Sequence, residues 1–174
     1  MIHLVLGDVG SGKTTLCARV LEELECKGFS CGGVLCPSVF RNGRKVGSVI
    51  VDVASKEERD FSFHKSTGRQ GSTEFCEWVF TQEGIEFGIY ALRRGLSSDV
   101  LFVDEIGPME LSGMGFAGVL PELFRRDGSV VAAMKRHIKD RFHTAYPDVK
   151  TREYDVACGE EAMKSILAGI HDGI

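Results

Sequence analysis

The chain lacks the features that mark several specialised classes of protein. Its six cysteines include no Cys-x-x-Cys pair, the usual spacing of structural zinc sites. No apolar run is long enough to cross a bilayer, and no internal repeat or low-complexity tract is present. Lys and Arg number 21 against 25 Asp and Glu, so the net charge is −4. We therefore expect neither a membrane span nor a nucleic acid partner.

What remains is the composition of an ordinary globular protein. The 174 residues are 43% hydrophobic and 26% charged, which is enough to bury a continuous core. No linker-like stretch divides them, so we expect a single domain over residues 1–174. The apolar run from Ile2 leads directly into a glycine-rich loop, unlike the three-part pattern of a signal peptide. We expect a cytoplasmic protein whose thiols are reduced.

Three of those thiols, Cys26, Cys31 and Cys36, are evenly spaced. Such spacing would suit a metal or redox site. Small buried thiols are, however, the more common use of reduced cysteine, and we favour that interpretation.

Apolar periodicity predicts strands that alternate with helices. Asn42-Gly43 stands between two β-type segments, a strong hairpin signal, and the Gly-, Ser- and Thr-rich residues 66–73 indicate a loop. The predicted strands cover residues 2–6, 32–36, 39–40, 46–53, 59–63, 100–103, 129–134 and 154–157. The predicted helices cover residues 13–28, 83–96, 116–126, 138–144 and 160–170. This alternation predicts an α/β fold with a mainly parallel central sheet and an antiparallel hairpin insertion.

The loop after the first strand matches the Walker A pattern G-x-x-x-x-G-K-[ST] at every fixed position. The matching residues are Gly7, Asp8, Val9, Gly10, Ser11, Gly12, Lys13 and Thr14. Glycines let successive backbone N–H groups point inward around phosphate oxygens, and the following helix adds its positive dipole end. An ordinary glycine-rich turn is the alternative, but a strand before and a helix after the loop favour a phosphate-binding P-loop.

Within this loop the side chains have distinct expected roles. Lys13 would reach the β- and γ-phosphates, and the Thr14 hydroxyl would ligate Mg²⁺. Thr15 is a secondary candidate for a phosphate contact. The sequence therefore predicts binding of a nucleoside triphosphate with Mg²⁺, in a P-loop NTPase three-layer sandwich.

Two acids follow a continuous apolar run, in the manner of a Walker B strand. The carboxyl ends of parallel strands are where ligands of open α/β sheets bind. We expect Asp104 to hold the metal, directly or through water, and Glu105 to orient or deprotonate the attacking water. Without the P-loop, solvated loop acids would be the better interpretation.

Phosphoryl transfer would gain from a second cation near the γ-phosphate, since charge develops there. Lys135, Arg136 and Arg141 follow a predicted strand on the expected ligand edge, and Arg41 and Arg44 on the hairpin are rivals. Each of them could equally be a solvated surface charge.

The segment DEIGPMEL at residues 104–111 resembles the signature of a known family of P-loop nucleoside-triphosphatases. That family includes the thermophile broad-specificity NTPases and the animal cancer-related nucleoside-triphosphatase. The Walker A segment with Thr15-Leu16 is similar too, and residues 33–52 more loosely. The family's Thr-Glu-Glu-like stretch and a basic residue of the signature are replaced here, the latter by Pro108.

The resemblance implies a compact α/β domain, Mg²⁺ dependence, and slow hydrolysis with weak discrimination among ATP, GTP, CTP and UTP. It also makes Glu110 a candidate site residue, with a surface acid as the equal alternative.

Three functions therefore stand open from the sequence. The first is an Mg²⁺-dependent NTP hydrolase of low base specificity, which Glu105 favours. The second is a nucleotide or small-molecule kinase in which residues 135–152 close as a lid. The third is a nucleotide-dependent switch that binds a protein partner, which the sequence does not identify, through the hairpin or residues 66–73. No Asn-Lys-x-Asp guanine motif is present, which argues against a Ras-type GTPase.

Overall fold

The computed structural model describes residues 1–172, which form a mixed sheet between two layers of helices. Within these residues the sheet has ten strands. In chain order the elements are β1 (Ile2–Gly7), α1 (Lys13–Cys26), β2 (Cys31–Leu35), β3 (Ser38–Arg41), β4 (Arg44–Asp52), β5 (Glu58–His64), β6 (Thr73–Phe75), β7 (Trp78–Phe80), α2 (Gln82–Arg94), β8 (Val100–Ile106), α3 (Leu120–Arg125), β9 (Ser129–Lys135), α4 (Lys139–Ala145), β10 (Thr151–Asp155) and α5 (Gly159–His171).

Five strands form the parallel half of the sheet, in the order β10-β1-β9-β8-β2. Every neighbouring pair in this half is parallel, so the carboxyl ends of all five strands meet at one edge. β1 and β9 are buried almost throughout because their residues are apolar on both faces. The P-loop after β1 and the acids at the end of β8 therefore arrive at the same edge.

The remaining strands, β3 to β7, form the antiparallel half. β4 pairs with β2 in antiparallel fashion, and β5, β7 and β6 continue outward from it. β3 pairs back on β4 around the Asn42-Gly43 turn, and both turn residues have positive φ, as a tight hairpin requires. The predicted hairpin insertion is confirmed, although the antiparallel part is larger than a single hairpin.

Helices cover both faces of the parallel half. On one face α1 and α5 pack over Val5, Phe102 and Val131. On the other face α2, α3 and α4 pack over the residues that alternate with these, such as Leu4 and Val103. This arrangement confirms the predicted α/β P-loop fold with a three-layer architecture. None of the helices in residues 1–172 has the length and apolarity needed to cross a bilayer.

Three sequence predictions are wrong in detail. The last strand begins at Thr151 rather than at residue 154, because an edge strand needs little apolar patterning, and residues 156–158 form a 3₁₀ turn. The helix predicted over 116–126 is limited to α3, which starts beside Pro121, a residue suited to a first helical turn. The β6–β7 hairpin was not predicted, since each strand has only three residues.

Candidate active site

The P-loop is a tight connection between β1 and α1. Gly7 is buried, and a Cβ atom there would collide with the Ser11 and Val156 side chains, so a larger residue would displace them. Ser11 Oγ donates a hydrogen bond to the Asp8 carbonyl at 2.8 Å, which closes the turn. Gly12, with φ 94°, precedes α1 and has no side chain to cap it. The first N–H groups of α1 are therefore available to an anion.

The rim of the P-loop is open to solvent. Residues 8–11 are exposed, and Thr14 is half-buried. Thr15, the secondary phosphate candidate, is exposed on the first turn of α1. A ligand can therefore reach the backbone of the loop without displacing a covering segment.

Lys13 is almost fully buried at 6% exposure. Its Nζ donates hydrogen bonds to the Asp8 carbonyl at 2.8 Å and the Gly7 carbonyl at 3.3 Å. Glu105 Oε2 lies 3.9 Å from the same nitrogen. The ammonium is thus held between the loop and the second Walker B acid, where a triphosphate could replace the carbonyls as its partner.

Asp104 is buried at the end of β8. Its Oδ2 accepts a hydrogen bond from the Cys36 backbone N–H at 3.1 Å. Burial raises the pKa of Asp104 to about 6, and the neighbouring Thr14 hydroxyl and the Cys36 N–H oppose this rise. A divalent cation beside the carboxylate would offset this cost of burying charge.

The donor set suits Mg²⁺, because Thr14 and Asp104 supply hard oxygen atoms next to each other. No group of three or more His, Cys, Asp or Glu side chains in residues 1–172 could hold a metal. A cation here would therefore take its remaining ligands from the nucleotide and water, which is common for Mg²⁺.

Glu105 points out of the sheet into the site. The pairing of β8 with β9 shifts register between Asp104 and Ile106, and such an irregularity redirects a side chain. Glu105 is 32% exposed, with Oε2 3.9 Å from Lys13 Nζ and Oε1 3.3 Å from Lys135 Nζ. The carboxylate therefore lies between two ammonium groups at the mouth of the P-loop.

Lys135 reaches this position because β9 lies between β1 and β8. It is paired with Gly7 in the sheet and is partly buried. The next residue, Arg136, is exposed and forms an ion pair with Asp155 at 2.7 Å. The structure thus brings Lys135 to Glu105, while Arg136 lies exposed beside Asp155. Arg41, Arg44 and Arg141 are also exposed.

Glu110 is buried at 5% exposure, so the alternative of a surface acid is wrong. Its Oε2 accepts a hydrogen bond from the Gly107 N–H at 2.9 Å, and burial raises its pKa to about 7. A Cβ atom on Gly107 would lie 3.2 Å from Glu110 Oε2 and 3.7 Å from Glu105 Oε1. Glu110 therefore fixes the backbone of Gly107, two residues after Glu105.

The evenly spaced cysteines do not form one site. Cys26 is exposed at the end of α1, while Cys31 and Cys36 flank opposite ends of β2. The preferred interpretation of buried thiols is wrong for Cys26, because this residue lies on the solvent side of its helix.

Two groups near the acids were missed by the sequence analysis. The Cys36 amide binds Asp104, but a backbone donor carries no signature in residue type. Lys45, on β4, is half-buried, and its Nζ lies 5.1 Å from the centre of the Trp78 ring. Its place in residues 33–52, where the chain loosely resembles the nucleoside-triphosphatase family, was the available signal.

Comparison with known proteins identifies relatives across most of the chain. The chain is similar to the nucleoside-triphosphatase THEP1 of Thermococcus kodakarensis, with 33% identity over 140 residues that cover 79% of this chain and 78% of that protein. The THEP1 of Methanothermobacter thermautotrophicus is 34% identical over 143 residues, which cover 76% of this chain and 75% of that protein.

Two solved structures share the fold. The solution structure of a human cancer-related nucleoside triphosphatase has a TM-score of 0.74 at 21% identity, and covers 99% of this chain and 98% of that one. The crystal structure of THEP1 from Aquifex aeolicus has a TM-score of 0.76 at 20% identity, covering 98% and 99%. A family model described as NTPase matches residues 3–160. The chain therefore belongs to this NTPase family of nucleoside-triphosphatases.

Proposed function

We propose that this protein hydrolyses nucleoside 5′-triphosphates to the diphosphate and phosphate, with Mg²⁺ and with low base specificity. The observation that carries the proposal is the position of Glu105, beside the buried Asp104 and between Lys13 and Lys135. A carboxylate in this place can act on a water molecule at the γ-phosphate, while the neighbouring cations stabilise the phosphate charge.

The P-loop residues 7–15 bind the triphosphate, mainly through backbone N–H groups and Lys13. Thr14 and Asp104 would hold Mg²⁺, whose positive charge would neutralise charge on the phosphates. Lys135 is the second cation. Arg136 forms an ion pair with Asp155, so we do not propose it as the second cation.

In the reaction Glu105 orients a water molecule and accepts its proton as the water oxygen bonds to the γ-phosphorus. The bond from that phosphorus to the bridging oxygen of the β-phosphate breaks, and the diphosphate leaves. Lys13 and Lys135 lie on either side of the carboxylate, so both are close to the place where negative charge is redistributed.

Low base specificity is supported by the nature of the contacts. Backbone N–H groups and lysines recognise phosphate, which ATP, GTP, CTP and UTP share. The name of the relatives, nucleoside-triphosphatase, specifies no base.

The kinase alternative loses support from the packing of its expected lid. Phe142 of α4 is fully buried and contacts the rings of Phe124 and Tyr146, with centroid distances of 5.7 and 5.3 Å. Ile138 and Phe142 thereby anchor the α4 part of residues 135–152 to the core beside α3, which argues against a segment that is free to close over the P-loop.

The test is phosphate release from ATP, GTP, CTP and UTP with Mg²⁺. We expect the wild type to hydrolyse several of them. Glu105→Gln should bind nucleotide while hydrolysing it about 100-fold or more slowly, and Lys13→Ala should lose both properties. Glu74→Gln, at an exposed acid on β6, is the matched control and should behave as wild type. A wild type that binds Mg-NTP but releases no phosphate would refute the proposal and favour an acceptor or partner.

A further inference from the structure

The hairpin of β3 and β4 projects beyond the parallel half at the edge where the acids lie. β4 runs antiparallel to β2, with Leu35 opposite Val51, so the earlier residues of β4 extend past the end of β2. The connection into the hairpin passes Cys36, whose N–H binds Asp104. It is fixed there by a hydrogen bond of 3.1 Å from the Val49 N–H to the Pro37 carbonyl. The base of the hairpin is therefore tied to the metal-binding acid.

Lys45 differs from the basic residues around it on this hairpin. Arg41 and Arg44 are exposed, whereas Lys45 is half-buried with its ammonium against the Trp78 ring. Within residues 1–172, Lys45 forms no ion pair with a carboxylate, unlike Lys13 and Lys135. A half-buried ammonium without a directly bonded carboxylate is costly, and an anion that approached it would be favoured.

The geometry of the hairpin places Lys45 on the side of the acids, because β4 extends past the end of β2 and its base is held beside Asp104. Burial lowers the pKa of Lys45, and the nearby Glu105 and then Asp104 oppose that effect, while Lys135 adds to it. The ammonium therefore lies in the field of both acids and of the second cation. Lys45 belongs to the antiparallel half, whereas Lys13 follows β1 and Lys135 ends β9 in the parallel half.

We propose that Lys45 is a third phosphate-binding cation, which moves from the Trp78 ring onto the γ-phosphate of bound NTP. The inference rests on the proposed function. A lysine has a long and flexible side chain whose ammonium can exchange an aromatic face for a phosphate oxygen. Because Lys45 lies on the side of the acids, it would contact the γ-phosphate and leave the α- and β-phosphates to the P-loop. Lys45 would thereby distinguish triphosphate from diphosphate.

The chain has one tryptophan, Trp78, which makes the movement observable. Emission is recorded with Mg²⁺ and either a non-hydrolysable β,γ-imido ATP analogue or ADP, and phosphate release from ATP is measured separately. In the wild type the analogue should change the Trp78 emission and ADP should not. Lys45→Met should lose this response, bind the analogue about 10-fold or more weakly with unchanged ADP affinity, and release phosphate about 100-fold more slowly.

Arg44→Met is the matched control, because it removes a neighbouring positive charge from the same strand at an exposed position. It should alter none of these readings more than about twofold. Lys45→Arg keeps the positive charge and should retain the preference for the triphosphate analogue. It therefore still tests the inference if Lys45→Met does not fold.

If Lys45→Met matches Arg44→Met in analogue binding, Lys45 serves only as a packing contact for Trp78 and the inference is overturned. The same holds if Lys45→Arg loses the triphosphate preference while remaining folded. The binding arm does not depend on turnover. A wild type that releases no phosphate would therefore refute the proposed hydrolysis, while the comparison of analogue with ADP would still decide the role of Lys45.

Discussion

The parallel and antiparallel halves of the sheet differ in how their side chains are used. In the parallel half the central strands β1, β8 and β9 are buried on both faces, and Leu4, Val5 and Phe102 have no exposed surface. In the antiparallel half all four residues of β3 are exposed, and Phe40 is 59% exposed. The buried half holds the P-loop and the two acids in fixed positions, because apolar packing on both faces leaves them little freedom. The exposed half supplies an adaptable cation.

The largest difference between the halves should appear when the same aromatic side chain is removed from each. Phe102→Ala in β8 should lower the free energy of unfolding by about 3–5 kcal/mol, because it opens a cavity in a filled core. Phe40→Ala in β3 should change it by less than about 0.5 kcal/mol. Urea denaturation at neutral pH measures both. If Phe40→Ala lowered the free energy of unfolding as much as Phe102→Ala, the β3–β4 hairpin would be packed as tightly as the parallel strands, and the contrast between the halves would be wrong.

The second test concerns His3, a buried histidine in the parallel half. Its Nδ1 contacts the Tyr154 hydroxyl at 3.0 Å, and its Nε2 has no hydrogen-bond partner within residues 1–172. Burial, followed by the positive N-terminus and Arg152, lowers the pKa of His3 from 6.5 to about 4. The unfolded chain therefore binds the proton more readily, so stability is full above pH 6.5 and falls as the pH is lowered towards 4.

The loss over this interval should be about 2–3 kcal/mol, measured by urea denaturation from pH 7 to pH 4. Glu110 acts in the opposite sense, since its pKa is raised to about 7. The informative quantity is therefore the difference between the wild type and His3→Leu. A difference that stays constant across the pH range would show that His3 does not titrate as its burial implies.

The smallest of the three effects concerns Glu110. Glu110→Ala removes the acceptor of the buried Gly107 N–H and should cost about 1–2 kcal/mol of stability. Phosphate release should also slow, because the backbone behind Glu105 loses its support. Glu110→Gln keeps an acceptor and should lose less. Glu58→Ala, at an exposed acid in the antiparallel half, is the control. If Glu58→Ala lowered stability as much as Glu110→Ala, the distinction between the two halves would be wrong.

The parallel half was also the easier part to predict from the sequence. Its central strands β1, β8 and β9 are continuous apolar runs and were located with small errors at their ends, whereas the polar edge strand β10 was not. In the antiparallel half the Asn42-Gly43 turn was a strong local signal, but β6 and β7 are too short to show a pattern. The contacts of the aromatic residues in that hairpin are made with residues distant in sequence, such as Lys45 beside Trp78, so the sequence did not predict them.

The sequence by itself determined the position and local form of the P-loop, because the Walker A pattern depends only on glycines, Lys13 and Thr14 at fixed local spacing. It also placed the two acids at the end of a buried strand. The tertiary structure alone decided which distant groups meet them. Lys135 reaches Glu105 only because β9 lies between β1 and β8, and the Cys36 amide reaches Asp104 only because β2 pairs with β8. Such contacts depend on strand order and register, which local spacing does not encode.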